Sequence, residues 1–407
     1  MGFASGPVMF KRFFVGGAAP RQADQSLLDR LAQRAIGKGS VAVGDGSETG
    51  WVTGDHILDT DFTFAKNAIA DCLYAALRID ANKPPSDLVR SYQKLHEQAI
   101  LAQSGREFLT KQERREARDA AKNQADKEAR AGRFRRMHQY AMLWDLRRRE
   151  LYFGSASPAA VERFAALFKE TFGHALTAAT AGEMASRFAA EARLSGAYEE
   201  LRPSLFVKPP EEHEQERTFT PPDESRSRDY LGTEWLMWLW YRARHEGTEE
   251  TPGEGAEESL VRFEKSLHLD CAFKLTGAVS VRGDDPAHMP ESLAGLASGK
   301  LPVRSGLQIV HRGEAYACAV RADVMHFSGV QLPAASEPVS PRVLFEERTA
   351  RLRDFTDAVA ASYQEFLRVR LSARWPRQLA AIRAWISTGG PAPAVGDDAF
   401  PDVAAAS

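Results

Sequence analysis

Cysteine is scarce in this sequence: Cys72, Cys271 and Cys318 are the only three among 407 residues, far apart and in no CxxC pair. That scarcity argues against a disulfide framework and a zinc site, and it fits a reducing cytoplasm. Long apolar runs are missing too, since no segment approaches the ~18 consecutive apolar residues of a membrane span. Neither charge is in excess, because 53 Lys+Arg against 55 Asp+Glu leave a net charge of −2. Global charge therefore does not announce a nucleic-acid partner, and any such case rests on local segregation. The sequence also lacks a Walker-type phosphate loop, a Gly-x-Ser-x-Gly elbow, a His-Glu-x-x-His pair and a dinucleotide fingerprint. Its ten histidines form no HxH or HxxxH pair. Catalysis has no positive signal, and no cofactor is expected. Met1 to Pro7 has no basic start followed by an apolar stretch, so no secretory signal is expected and the chain reads as cytoplasmic and water-soluble.

The remaining composition, 43% hydrophobic and 27% charged, is that of a globular protein long enough for two cores or one extended architecture. Phe10 to Val15 reads as an opening strand, and Leu27, Leu28, Leu31, Ala35 and Ile36 repeat at helical spacing up to Gly37. Trp51-Val52 and Cys72 to Ile79, with Leu73, Ala75 and Leu77 alternating, read as strands. Residues 86–137 carry no strand signal and read as two helices, the second too polar to be buried on any side. Tyr140 to Phe153 reads as a hairpin about Arg147-Arg148-Arg149, and Ser157-Pro158 starts a helix. Together these define an N-terminal half, 1–207. Residues 208–260 read as an acidic linker containing an aromatic helix, Tyr230 to Glu246. A C-terminal half, 261–387, has strands within Leu267–Val281 and Gly306–Leu332 and a long amphipathic helix marked by Phe345, Leu352, Phe355, Val359, Tyr363 and Phe366. Residues 388–407 read as a disordered tail. The expected class is α+β.

The neutral total hides two segregated regions. From Arg106 to Glu150 there are 14 Lys/Arg against 8 Asp/Glu; from Glu211 to Glu258 there are 5 against 14. Lys111, Arg114, Arg115, Arg118 and Lys122 recur at helical neighbour spacing, as does a stripe that follows a phosphate backbone. The competing reading is a solvated helix with internal ion pairs to Glu113, Glu116 and Asp119. Arg147, Arg148 and Arg149 at a hairpin tip suit either a solvated turn or insertion toward a groove. Asp55, His56, Asp59 and Asp61 are the only dense set of potential metal ligands, compatible with a Mg²⁺-dependent nuclease or, with better fit to their spacing, a polar turn. Trp235, Trp238 and Leu239 lie at i, i+3, i+4, which favours a buried helical face over a base-stacking platform that also includes Tyr241.

The order of several short motifs resembles the RdgC family of recombination-associated proteins. They are Phe10-Lys-Arg-Phe13; Gly50-Trp51-Val52; Leu77-Arg78 before Lys83-Pro84; Gly105-Arg106 through Lys111 to Glu113; Met142-Leu-Trp144 through Phe153 to Ala156-Ser157; Gly299-Lys300-Leu301 to Leu307; and Tyr316 to Val320. The segment 208–260 and the extension beyond 333 depart from that pattern. The resemblance implies mixed antiparallel sheets with helices, in an elongated subunit that pairs into a ring-shaped homodimer around duplex DNA. It implies non-specific double-stranded DNA binding in the nucleoid, without catalysis, that restrains RecA-type recombinase access. By position it adds Arg282, Lys300 and Arg304 to the expected DNA-facing residues. The net charge lowers the expected affinity unless an acidic outer surface surrounds a basic inner one. A metal-dependent nuclease and a protein-interaction scaffold without DNA binding are the alternatives.

Overall fold

The computed structural model describes residues 2–38, 41–42, 47–208, 227–245, 260–333 and 340–388. Most of the acidic stretches around the aromatic helix, and the tail, lie outside them. Alternating strands dominate both ends of the chain, and they meet in one sheet. The first half supplies β1 (Val8–Val15), β2 (Val41–Ala42), β3 (Glu48–Val52), β4 (Ala68–Ile69), β5 (Cys72–Asn82), β6 (Arg135–Asp145), β7 (Glu150–Phe153) and β8 (Leu176–Ala178). The second half supplies β9 (Leu260–Cys271), β10 (Val279–Gly283), β11 (Lys300–His311), β12 (Glu314–Arg321) and β13 (His326–Gln331). The strand order is β10-β9-β11-β12-β13-β1-β7-β6-β5-β3-β2, with β4 on β5 and β8 on β1. Every strand pair is antiparallel. The class is α+β, and β1 is the seam: Lys11 pairs with His326 on one edge and Phe153 on the other.

Eleven helices are described: α1 (Gln25–Gln33), α2 (Phe64–Asn67), α3 (Ser86–Ser104), α4 (Lys111–Arg130), α5 (Pro158–Phe172), α6 (Ala181–Glu191), α7 (Ser195–Glu199), α8 (Tyr230–His245), α9 (Pro290–Ala297), α10 (Pro341–Arg370) and α11 (Trp375–Thr388). They cover the sheet unevenly. On one face, α6, α8, α10 and α11 close a core that runs through both halves and takes in Phe10, Tyr152, Leu307 and Val320. On the other face, α1 and α5 cover only the first half, over Phe13, Trp51, Leu73, Trp144 and Phe153.

Strand β5 shows the effect of this double cover. The alternation of Leu73, Ala75 and Leu77 predicts one buried face, yet every residue from Cys72 to Asp80 is buried. The odd residues enter the second core while Cys72 and Tyr74 enter the first. The Gly-Trp-Val element has a packing reason as well. The Trp51 backbone amide donates to Arg34 O (3.0 Å), its indole donates to Thr171 Oγ1 (2.8 Å), and a Cβ on Gly50 would collide with the Ile36 backbone.

The aromatic helix is core. Trp235 donates to Ser362 Oγ (3.3 Å), Trp238 packs against Phe366, and Trp240 lies against Phe263 and Trp385. Helix α10 braces the two halves. Arg353 reaches Asp145 Oδ2 (2.6 Å) and Ala70 O (2.8 Å), Tyr363 donates to Ala181 O (2.9 Å), and Arg370 holds the buried Glu234 (2.5 Å).

Candidate nucleic-acid interface

Helices α3 and α4 form a hairpin that packs chiefly on itself. No residue of α3 is buried, and α4 buries only Ala117, Ala121, Ala125 and Ala129, a four-residue repeat small enough to let the helices close. Tyr92 donates to Glu128 (2.7 Å) and His96 meets Gln124 (3.2 Å) across the pair. A Thr110–Glu113 capping box starts α4, which satisfies amides otherwise left open at a helix N-terminus. At the base of the hairpin, the Asp80 carboxylate accepts from Arg78 (2.7 and 2.8 Å) and Arg135 (3.0 Å). Together these guanidiniums hold the carboxyl below its ordinary range, although burial of Asp80 acts first and in the opposite direction.

Lys111, Arg114, Arg115, Arg118 and Lys122 are all exposed, and none makes an ion pair among the described residues. At 3.6 residues per turn they fall within an arc of about 100° and extend along about 16 Å of helix. The acidic residues that could have quenched them point elsewhere: Glu113 serves its cap and Arg106, and Glu116 accepts from Gln112 (3.1 Å). Among the described residues, the internal ion pairs of the solvated-helix reading do not form, while the face itself is solvated.

A second cationic surface lies on the sheet face that α1 and α5 leave uncovered in the second half. Register places His268 opposite Arg304, Arg304 opposite Arg321, Arg321 opposite His326, and His326 opposite Lys11. Directly paired residues share a face, so five neighbouring strands carry one continuous row, about 19 Å across at the usual strand spacing. Arg282 and Ser280 lie on the next strand, Ser280 opposite His268. Like charges opposed across strands are destabilising, and Arg304 faces Arg321, which Asp323 offsets from 3.1 Å. Burial, opposed by Asp229 and Asp323, depresses the Lys11 ammonium. Burial together with Arg304, Lys11 and Arg321 depresses His326.

Of the residues expected from sequence, Arg304 falls on this row, and Arg282 lies exposed on the same face two residues from it, opposite Ser266. Lys300 does not: it is buried, and its ammonium donates to Thr276 (2.9 Å) and Ser298 (3.3 Å). The arginine turn stays largely exposed, with two of its guanidiniums held in surface ion pairs. Arg147 pairs with Asp71 (2.9 Å), Arg148 grips Asp357 with two bonds (2.7 and 3.0 Å), and Arg149 is half-buried with φ 56°. Lys11, Arg321, His268 and His326 were missed. A period-2 reading of β12 would have found Arg321, because Tyr316, Cys318 and Val320 face the core and Arg321 is out of phase with them.

The acidic cluster is a closed turn. Lys66 Nζ lies 3.0 Å from Asp59 and 3.2 Å from Asp61, and His56 Nδ1 accepts from the Leu58 amide (3.2 Å). The Asp61 amide and then Lys66 hold Asp59 below the ordinary carboxyl range. An ammonium thus stands where a nuclease would need a cation, and no group of three metal-ligating side chains occurs among the described residues. No described helix is long and apolar enough to cross a membrane. No protein-family model matches the sequence, and no curated protein is significantly similar to it.

Proposed function

We propose that this protein binds double-stranded DNA through its phosphates, without reading sequence and without catalysis, as a ring-forming homodimer of the RdgC kind that limits access of a RecA-type recombinase. This reading puts the protein in the cytoplasm, on the nucleoid. The observation that carries it is a separation of roles among basic side chains. Arg78, Arg135, Arg148, Arg353 and Arg370 are paired with carboxylates, whereas Lys111, Arg114, Arg115, Arg118 and Lys122 are exposed and unpaired. Phosphate contacts of this kind position a protein on a duplex and carry no sequence information.

Ring closure by two copies needs self-complementary patches. The tip of the α3–α4 hairpin offers an apolar side chain for one: Phe108 is 76% exposed, the most exposed large hydrophobic residue described. On this reading, the exposed ring is one contact with a second copy.

The test is duplex binding across a salt series, with the mass of the free protein measured alongside. With on the order of six to ten phosphates neutralised, affinity should fall by about 10³-fold or more between 50 and 200 mM salt, equally for unrelated sequences. Affinity that is flat across that range, or a gel shift that never appears at low salt, removes DNA as the partner. A monomeric mass, with equal dissociation from circular and short linear DNA, removes the ring.

A further inference from the structure

The cationic row on the open sheet face contains a titratable group in the middle of fixed charges. His326 on β13 stands directly opposite Arg321 of β12 on one side and Lys11 of β1 on the other, and Arg304 of β11 is the next residue along the row. The anions nearby are Asp323, bonded to Arg321, and Asp229, which acts with Asp323 on Lys11. His326 Nε2 is buried and has no hydrogen-bond partner among the described residues. The imidazole therefore has no acceptor of its own to stabilise a proton and three cations that oppose one.

The geometry points to His326 as a proton-linked element of the DNA-binding face: phosphates laid across Lys11, Arg304 and Arg321 draw a proton onto His326, so that binding and protonation reinforce one another. The inference rests on the proposed DNA binding, whose regulation it concerns. Its physical basis is reciprocity. A phosphate seated between Lys11 and Arg321 offsets the repulsion that keeps the ring neutral, so the bound state takes up a proton that the free state lacks. The protonated ring in turn adds a charge to the row, and binding tightens. Coupling of this kind is equal in both directions.

The sign follows from the depressed starting point. Burial first, and then the three neighbours, hold free His326 below the ordinary imidazole value of 6.5. Bound phosphate moves it upward. Affinity should therefore rise as pH falls through the bound-state value, and level off below the free-state value. The limiting slope is one decade of affinity per pH unit for each His326 engaged. His268, the other imidazole of the row, is already hydrogen-bonded to Ser280 and provides an internal comparison.

Calorimetric titration of the full-length protein with a plain duplex, in buffers of differing ionisation enthalpy at pH 7, reads the protons taken up directly. The expected result is net uptake by the parent protein, loss of most of it in His326→Gln, a smaller loss in His268→Gln, and retention in His56→Gln, which lies outside the row. Affinity measured from pH 8 to pH 6 at constant salt should rise in the parent and flatten in His326→Gln. Tight binding without proton uptake, or an unchanged pH profile in His326→Gln, overturns the proton linkage and leaves DNA binding standing. Absence of duplex binding by the parent at every pH overturns both.

Discussion

Helices α4 and α10 are both long and rich in basic residues, yet they use those residues in opposite ways. On α10, Arg342 donates to Ala65 O and Ala68 O, Arg348 to Phe3 O and Gly6 O, Arg351 meets Glu314, Arg353 meets Asp145, and Arg370 meets Glu234. Its guanidiniums tie the helix to backbone oxygens and carboxylates from both halves of the sheet. On α4, Lys111, Arg114, Arg115, Arg118 and Lys122 meet no partner among the described residues, because the helix buries only alanines. A basic helix is therefore a fastener where acceptors surround it and a ligand surface where they do not. The guanidinium's fixed fork suits both roles equally.

If that contrast is right, removing a fastener should be the most damaging change. Arg370→Met leaves the carboxylate of Glu234 buried without its charged partner and should destabilise the fold by about 3–5 kcal/mol. Chemical denaturation measures this, and the folded fraction should keep the parent's duplex affinity per molecule.

The converse change on α4 should spare stability and weaken binding. Replacing Arg115, Arg118 and Lys122 by alanine should leave the denaturation midpoint where it was. Duplex affinity should fall by roughly 10²-fold, and the slope of log K against log[salt] should become shallower by about 2.7 units, for three fewer phosphates. A lower midpoint with unchanged affinity would make α4 a second fastener and erase the comparison.

Geometry without charge can be tested at the alanine seam. Ala121 is fully buried between α3 and α4, and Ala121→Leu should overpack it by about 1–3 kcal/mol. Because the stripe is then misplaced, duplex affinity should drop although every cation remains. The smallest effect is expected for Arg351→Ala, which removes a half-exposed pair with Glu314 at 2.7 Å. Stability should change by no more than about 1 kcal/mol, with no change in duplex binding.

The parts readable from sequence were those made by near neighbours. The two polar helices follow from the lack of strand signals, although α4, expected to be too polar to be buried on any side, buries a face of four alanines. The strand at Cys72–Ile79 and the amphipathic helix through Phe366 follow from periods of 2 or 3.6 residues. The α4 stripe was legible for the same reason, since its members are one turn apart. The buried face of Trp235, Trp238 and Leu239 was legible from i, i+3, i+4 spacing. At two places side chains met partners that the local sequence does not show. Lys300 was placed by its strand but turned inward onto two hydroxyls, and the arginine turn was captured by Asp71 and Asp357. In both cases the deciding partner comes from another element, and nothing in the local pattern encodes it.

Local rules thus determined the α+β class, the helix that carries an exposed cationic stripe and the helices that bury aromatic faces. Tertiary structure alone decided that β1 joins the two ends of the chain into one sheet, that α10 fastens them, and that no described helix covers one face of the second half. It also decided the row from His268 through Arg304, Arg321 and His326 to Lys11, which gathers residues from both ends of the chain by strand register. The physical reason is that helical and strand periodicity act over a few residues, whereas charge is read by whatever the folded chain brings within a few ångströms of it.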